Sequence, residues 1–178
     1  MRRFWLPLTD ARLKAAMTAL RRAGAAVGDL AAEPHGAASF FAPIKRQLAA
    51  ASGAAPKNPA GSAALAAAED FTLRLERTFT DMARLDAPPD IAVRRALSAL
   101  ERACALTPRL VSRSARAAAF AEAMALCATG RKTLALAGAA ADNAAGAFAL
   151  NLKFSSIYSG LDAVLYAFER CAEALITA

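Results

Sequence analysis

The sequence predicts an all-α protein: an antiparallel bundle of four long helices with one or two short ones, forming a single domain over residues 1–178. Alanine, the best helix former and a poor strand former, supplies 52 of the 178 residues. Large apolar residues recur at alternating spacings of four and three, which places them on one face of a helix. Short Pro/Gly segments separate these stretches, as in bundles of antiparallel neighbours.

The first helix is expected over about residues 10–32, with Thr9 as its N-cap. Its apolar face comprises Leu13, Met17, Leu20, Gly24 and Val27. Glu33-Pro34 ends this helix, because proline disfavours helical geometry in the preceding residue. Residues 34–42 are expected to form an irregular connector. A short helix follows over about residues 43–51, with Pro43 in its first turn.

Residues 52–61, SGAAPKNPAG, predict a flexible Pro/Gly linker inside the domain. The next helix is expected over about residues 62–85. Its buried face comprises Leu65, Ala68, Phe71, Leu75, Phe79 and Met82. The APPD segment at 87–90 ends this helix, and Asp90 can cap the helix that follows.

The helix after Asp90 is expected to reach about residue 106, with Val93, Leu97, Leu100 and Cys104 facing inward. Thr107-Pro108 predicts an N-cap followed by a proline at the first helical position. A helix is therefore expected over about residues 107–140. The last helix has the most regular apolar repeat: Phe154, Tyr158, Leu161, Leu165, Phe168, Ala172 and Leu175. Ser159 and Asp162 resemble a capping box, which would place a break near Ser159.

Residues 137–150, AGAAADNAAGAFAL, lie in an apolar stretch long enough to span a membrane. A central aspartate raises the free energy of membrane insertion by about 2.5–3.5 kcal/mol, and the few large apolar residues nearby lower it by no more than that. Integral membrane insertion is therefore not expected. Gly138, Asp142 and Gly146 would instead share a face that admits a neighbouring helix.

The apolar run near the N-terminus stops at Asp10 and is too short for a secretion signal. This favours a cytoplasmic protein.

Residues that could carry chemistry are few and scattered. Cys104, Cys127 and Cys171 lack disulfide or metal-site spacing and fall on apolar helix faces, so we expect buried, small hydrophobic side chains. The single histidine, His35, lies in a Pro/Gly connector and is expected to be solvated. No motif indicates a catalytic, cofactor or metal site. The expectation is a protein that is not an enzyme and uses no cofactor or metal.

The net charge is +7 and is unevenly distributed. Residues 1–60 carry nine Lys/Arg against three acids, and residues 90–132 carry eight against three. The sequence therefore predicts a basic side of the bundle, built from the helices in these two segments.

Arg109, Arg113 and Arg116 would share one face if the helix is continuous from residue 107. They would then either be solvated beyond the core or line a groove that holds an anion near a helix N-terminus. A chain break near residues 112–114 is the third interpretation, and it would separate the three arginines.

The principal hypothesis for function is a non-enzymatic interaction protein, such as an adaptor, assembly factor or structural component, that binds a protein partner or itself. Phe154, Tyr158, Leu165 and Phe168 would supply the interface if left partly exposed. The alternative is binding of nucleic acid or another polyanion through the basic side. A further alternative is phasin-like coating of a lipid or polyester granule, for which the likeness is compositional and covers no motif. The last alternative is an enzyme or small-ligand carrier with a pocket in the bundle core, which has no support in the sequence beyond the general capacity of bundles for pockets.

Overall fold

The computed structural model describes residues 10–54, 58–142 and 148–178, and no strand occurs among them. The helices are α1 (Ala11–Ala25), α2 (Val27–Ala32), α3 (Ala37–Ser52), α4 (Pro59–Arg84), α5 (Ile91–Ala105), α6 (Thr107–Leu110), α7 (Arg116–Asp142) and α8 (Phe148–Thr177). A 3₁₀ turn over Pro34–Gly36 precedes α3. The predicted all-α bundle is thereby confirmed.

Five helices pack as a closed ring in the order α1, α5, α7, α8 and α4, and α3 lies outside the ring against α4 and α1. The neighbours α4 and α8 are antiparallel, because Phe71 pairs with Phe168 while Thr78 faces Gly160. The helices α1 and α4 instead begin side by side, since the Arg12 guanidinium donates to the Ser62 hydroxyl at 2.7 Å.

The core fills the centre of this ring. The rings of Phe71 and Phe168 meet edge-on with centroids 6.1 Å apart. The six predicted inward residues of α4 are all buried, as are the four predicted for α5. The apolar repeat therefore identified the buried faces of these two helices correctly, because burial of that face is what holds a bundle helix in place.

The first predicted helix is divided. α1 ends at Ala25 and α2 begins at Val27, with Ala26 between them. Asp10, not Thr9, caps α1, and its Oδ1 accepts from the backbone N–H groups of Arg12 at 2.9 Å and Leu13 at 3.1 Å. Thr9 lies outside the described residues.

The predicted connector over 34–42 was wrong, because helix α3 already begins at Ala37 and contains Pro43 in its interior. Phe41 and Ile44 are fully buried, so tertiary packing outweighs the local cost of a proline inside the helix. The predicted linker over 52–61 is helical at both ends. Asn58 caps α4 through a bond from Ala60 N–H at 3.0 Å, and Pro59 takes the first helical position.

Two predictions about the second half of the chain were also wrong. Thr107 is buried and does not cap a helix; its hydroxyl donates to the Cys104 carbonyl at 2.7 Å. The helix α8 continues through Ser159 without a break.

The predicted face of Gly138, Asp142 and Gly146 lies in part outside the described residues. Among the described helices, none is long and apolar enough to cross a membrane.

Candidate partner-binding groove

The arginines predicted to share a face are separated by a chain break. Arg109 belongs to the short α6, Arg113 lies in the turn that follows, and Arg116 begins α7. The Ser112 carbonyl accepts from the N–H of Ala115 at 3.1 Å and of Arg116 at 2.9 Å, which starts a new helix axis. Arg109 reaches Glu122 at 3.5 Å, and Arg116 donates to the Ile176 carbonyl at 3.3 Å. Of the three interpretations, the structure therefore shows the chain break near residues 112–114, and the three arginines do not form a continuous face.

The predicted interface residues of the last helix lie mostly inside the bundle. Tyr158 is 8 % exposed, Leu165 1 % and Phe168 0 %. Phe154 is partly buried and stacks at a tilt on the Tyr158 ring, with centroids 5.9 Å apart. These side chains pack against α4 and α7, so the regular repeat marks the internal seam of α8. Tyr158, Leu165 and Phe168 therefore lack the partial exposure on which their predicted role as an interface depended.

A surface groove runs between the α1–α2 segment and α5, and we call it the α1–α5 groove. One lobe, of about 580 Å³, lies over α1 and the end of α5. Its lining comprises Thr18, Arg21, Arg22, Ala25, Glu101, Ala105 and Pro108. The other lobe, of about 400 Å³, lies between α2 and the start of α5. Its lining comprises Val27, Gly28, Ala31, Ala32, Pro89, Arg94, Leu97, Ser98 and Glu101. Glu101 lines both lobes, so the two lobes lie next to each other.

The charge of the α1–α5 groove is predominantly basic. Arg21, Arg22 and Arg94 are exposed, and their side chains form no ion pair or hydrogen bond with any residue that the structure describes. Glu101 is the single acidic residue in the lining of the two lobes, and it lies near the middle of the groove. The groove thus presents cations on both sides of one anion.

The α1–α5 groove depends on a close approach of two helices. Gly24 on the buried face of α1 lies directly against Cys104 of α5. The absence of a side chain at Gly24 lets the two backbones come together. The exposed faces beside this contact carry the arginines, while small residues such as Ala25 and Ala105 form the floor between them. Each arginine is visible in the sequence, but the pairing of α1 with α5 is a tertiary property.

The three cysteines are buried free thiols, as predicted. Burial, with a smaller contribution from the Glu169 carboxylate, raises the pKa of Cys127 to about 12. Burial also raises the pKa of the Cys104 and Cys171 thiols. These side chains therefore remain protonated at neutral pH, and a thiol in that state is a poor nucleophile and metal ligand. His35 is exposed on the 3₁₀ turn, as expected for a solvated residue.

No group of three or more His, Cys, Asp or Glu side chains in the described ranges is arranged to hold a metal ion. Comparison with known proteins finds no matching family model, no matching curated protein and no matching solved structure.

Proposed function

We propose that the chain is a non-catalytic interaction protein that binds an acidic helical segment of a partner protein in the α1–α5 groove. The proposal rests on three exposed arginines, Arg21, Arg22 and Arg94, which have no ion partners among the described residues. They lie along a groove whose floor is formed by small side chains. Electrostatic complementarity of this kind steers association and selects partners of opposite charge.

The shape of the groove favours a helix as the bound element. Ala25, Ala31 and Ala105 project little from the surface, so a second helix can approach closely along the channel. Val27 and Leu97 lie in the lining, and both are buried in the unbound protein. An amphipathic helix could lay small apolar residues on this floor and direct glutamates towards the arginines, as in other helix-in-groove complexes.

Binding of nucleic acid is the second candidate, and the net charge of +7 with a pI near 9.9 favours it. Two features of the groove favour a protein partner instead. Glu101 would repel a phosphate backbone that followed the whole groove. Among the residues that the structure describes, no aromatic side chain lines either lobe, although single-stranded nucleic acids commonly stack on aromatic rings.

The test is fluorescence anisotropy with two labelled probes: a glutamate-rich helical peptide of about 18 residues, long enough to hold a helix, and a single-stranded DNA of equal net charge. The triple substitution Arg21→Gln, Arg22→Gln and Arg94→Gln should weaken peptide binding by about tenfold, because three exposed ion pairs of about 0.2–1 kcal/mol each together contribute about 2 kcal/mol.

The matched control removes equal charge from exposed positions outside the groove, through Arg46→Gln, Arg77→Gln and Arg170→Gln. The control should leave peptide affinity within about twofold, within the usual small effect of surface charges. Equal loss in both triple variants would show that the peptide responds to net charge alone and would contradict the proposal. Tighter binding of the DNA than of the peptide by the unsubstituted protein would move the assignment to nucleic acid.

The proposal includes a cytoplasmic location. The three free thiols support it, because reducing compartments keep cysteines unpaired.

A further inference from the structure

A second cavity lies between the end of α4 and the first turns of α8, away from the α1–α5 groove. Its volume is about 450 Å³, within the range of pockets that hold small molecules. Its lining comprises Arg84, Leu85, Leu152, Lys153, Ser155, Ser156 and Ser159. We call this cavity the serine pocket. It brings two cations from different helices to three hydroxyl groups.

The cations of the serine pocket retain unused hydrogen-bond donors. Lys153 forms no ion pair within the described part of the chain. Arg84 contacts Asp81, one turn earlier on its own helix, at 3.2 Å, and the Arg84 side chain remains 72 % exposed. A guanidinium has five N–H groups, so this single contact leaves Arg84 able to bind a further anion.

The hydroxyl groups of the serine pocket are also available. Thr72, Thr78 and Thr80 on α4 each donate to the backbone carbonyl four residues earlier. Among the described atoms, no such bond is made by the hydroxyls of Ser155, Ser156 or Ser159, which are exposed on α8. They can therefore donate to a ligand without breaking a bond within the protein.

The remaining wall of the serine pocket is apolar. The side chain of Leu85 is partly buried, and Leu152 is 62 % exposed. A ligand with a short hydrocarbon group beside its anionic head would cover Leu152 and remove apolar surface from water.

We infer that the serine pocket binds a phosphomonoester that carries a short apolar group. A phosphomonoester has a charge of about −1.5 to −2 at neutral pH, which matches the two cations. Its three terminal oxygens can accept from Arg84, Lys153 and the serine hydroxyls together. A carboxylate offers half the charge and fewer acceptor sites. Such a phosphate group occurs in soluble metabolites and in lipid headgroups, and the two sources can be separated experimentally.

The test is isothermal titration calorimetry of the full chain with hexyl phosphate, with hexanol as the uncharged reference. Hexyl phosphate should bind at least tenfold more tightly than hexanol. The pair Arg84→Gln with Lys153→Gln should weaken hexyl phosphate binding by about tenfold or more, because it removes both charged donors. The control pair Arg77→Gln with Lys132→Gln, at exposed positions outside the pocket, should leave binding within about twofold.

Sedimentation with vesicles of phosphatidylcholine, with and without phosphatidic acid, identifies the source of the phosphate. Capture only by vesicles that contain phosphatidic acid, abolished by the Arg84 and Lys153 pair, assigns the pocket to a lipid headgroup. Calorimetric binding of hexyl phosphate without vesicle capture assigns it to a soluble phosphomonoester. The inference is overturned if neither probe binds, or if the pocket pair and the control pair weaken binding equally. The serine pocket and the α1–α5 groove share no lining residue. The groove variants Arg21→Gln and Arg94→Gln therefore keep all the residues of the serine pocket. Binding of hexyl phosphate thus tests the serine pocket independently of the proposed function.

Discussion

Gly24 of α1 and Cys104 of α5 are in such close contact that a methyl group on Gly24 would overlap the Cys104 side chain. Both residues are buried in the interface that lies beneath the α1–α5 groove. This contact therefore sets the separation of the two helices that carry Arg21, Arg22 and Arg94.

Gly24→Ala is expected to lower the free energy of unfolding by about 1–3 kcal/mol, because the added methyl group overfills a packed contact. The matched control is Gly28→Ala, whose added Cβ meets nothing within 4 Å. Alanine favours a helix over glycine, so the control should raise stability by about 0.5–1 kcal/mol. Urea denaturation of both variants measures the difference. Equal stabilities would contradict the close α1–α5 contact.

Asp10 and Gly61 form a second close contact, between the starts of α1 and α4. A Cβ on Gly61 would lie 2.6 Å from Asp10 Oδ2, a buried oxygen with no hydrogen-bond partner among the described residues. We expect Gly61→Ala to cost about 1–3 kcal/mol in the unsubstituted protein and markedly less in an Asp10→Ala background. Asp10→Ala alone should cost about 0.5–2 kcal/mol through loss of the helix cap. Additive costs in this double-mutant cycle would argue against the contact.

The Tyr158 hydroxyl donates to Asp90 Oδ2, while Asp90 Oδ1 caps α5 through Val93 N–H at 2.8 Å. Tyr158→Phe should destabilise the protein by about 1.5–3 kcal/mol at neutral pH, because the bond has a charged acceptor. The measurement is urea denaturation of both proteins over a pH series.

Burial, followed by the hydrogen bond to Asp90 and the charge of Asp90, raises the pKa of Tyr158. The unfolded tyrosine titrates near pH 10. The contribution of the Tyr158 hydroxyl to the free energy of unfolding is therefore complete below about pH 10. This contribution is lost as the pH rises towards the pKa of Tyr158 in the folded protein. The stability difference from Tyr158→Phe should shrink above about pH 10. A difference that stays constant into that range would contradict the raised pKa of Tyr158 in the folded protein.

Glu101 is expected to select partners by charge pattern. A glutamate-rich helical peptide with one central lysine should bind the unsubstituted protein more tightly than the same peptide with glutamate there. Glu101→Gln should remove this preference, with a coupling energy of about 0.2–1 kcal/mol, typical of exposed pairs. Anisotropy titrations of the four protein and peptide combinations measure the coupling. The same preference in both proteins would contradict a role for Glu101 at the centre of the groove.

The sequence predicts the fold better than the site, and particular residues show why. Phe71, Leu75 and Phe79 repeat at helical spacing because one face of α4 is buried, so the pattern and the structure agree. Pro43 signals a helix start, yet α3 begins at Ala37, because burial of Phe41 outweighs the local signal.

The location of the site is set by tertiary packing, which the spacing of residues along the sequence does not reveal. The spacing of Arg109 and Arg116 assumed one helix axis, whereas the turn at Ser112 creates two. The repeat of Tyr158 and Phe168 identified a shared face but not what covers it. Arg21 and Arg94 are more than seventy residues apart in the chain, and only the packing of α1 against α5 brings them to one groove.

The most direct test of the proposed function is a ¹⁵N-HSQC titration of the full chain with the central-lysine acidic peptide. We predict amide shifts concentrated along the α1–α5 groove, at Arg21, Gly28, Arg94, Ser98 and Glu101. We also predict that 0.5 M salt suppresses them, because screening weakens exposed charge contacts. Shifts centred elsewhere in the bundle, or none at peptide concentrations of about 1 mM, would contradict the claim that this groove is the partner-binding site.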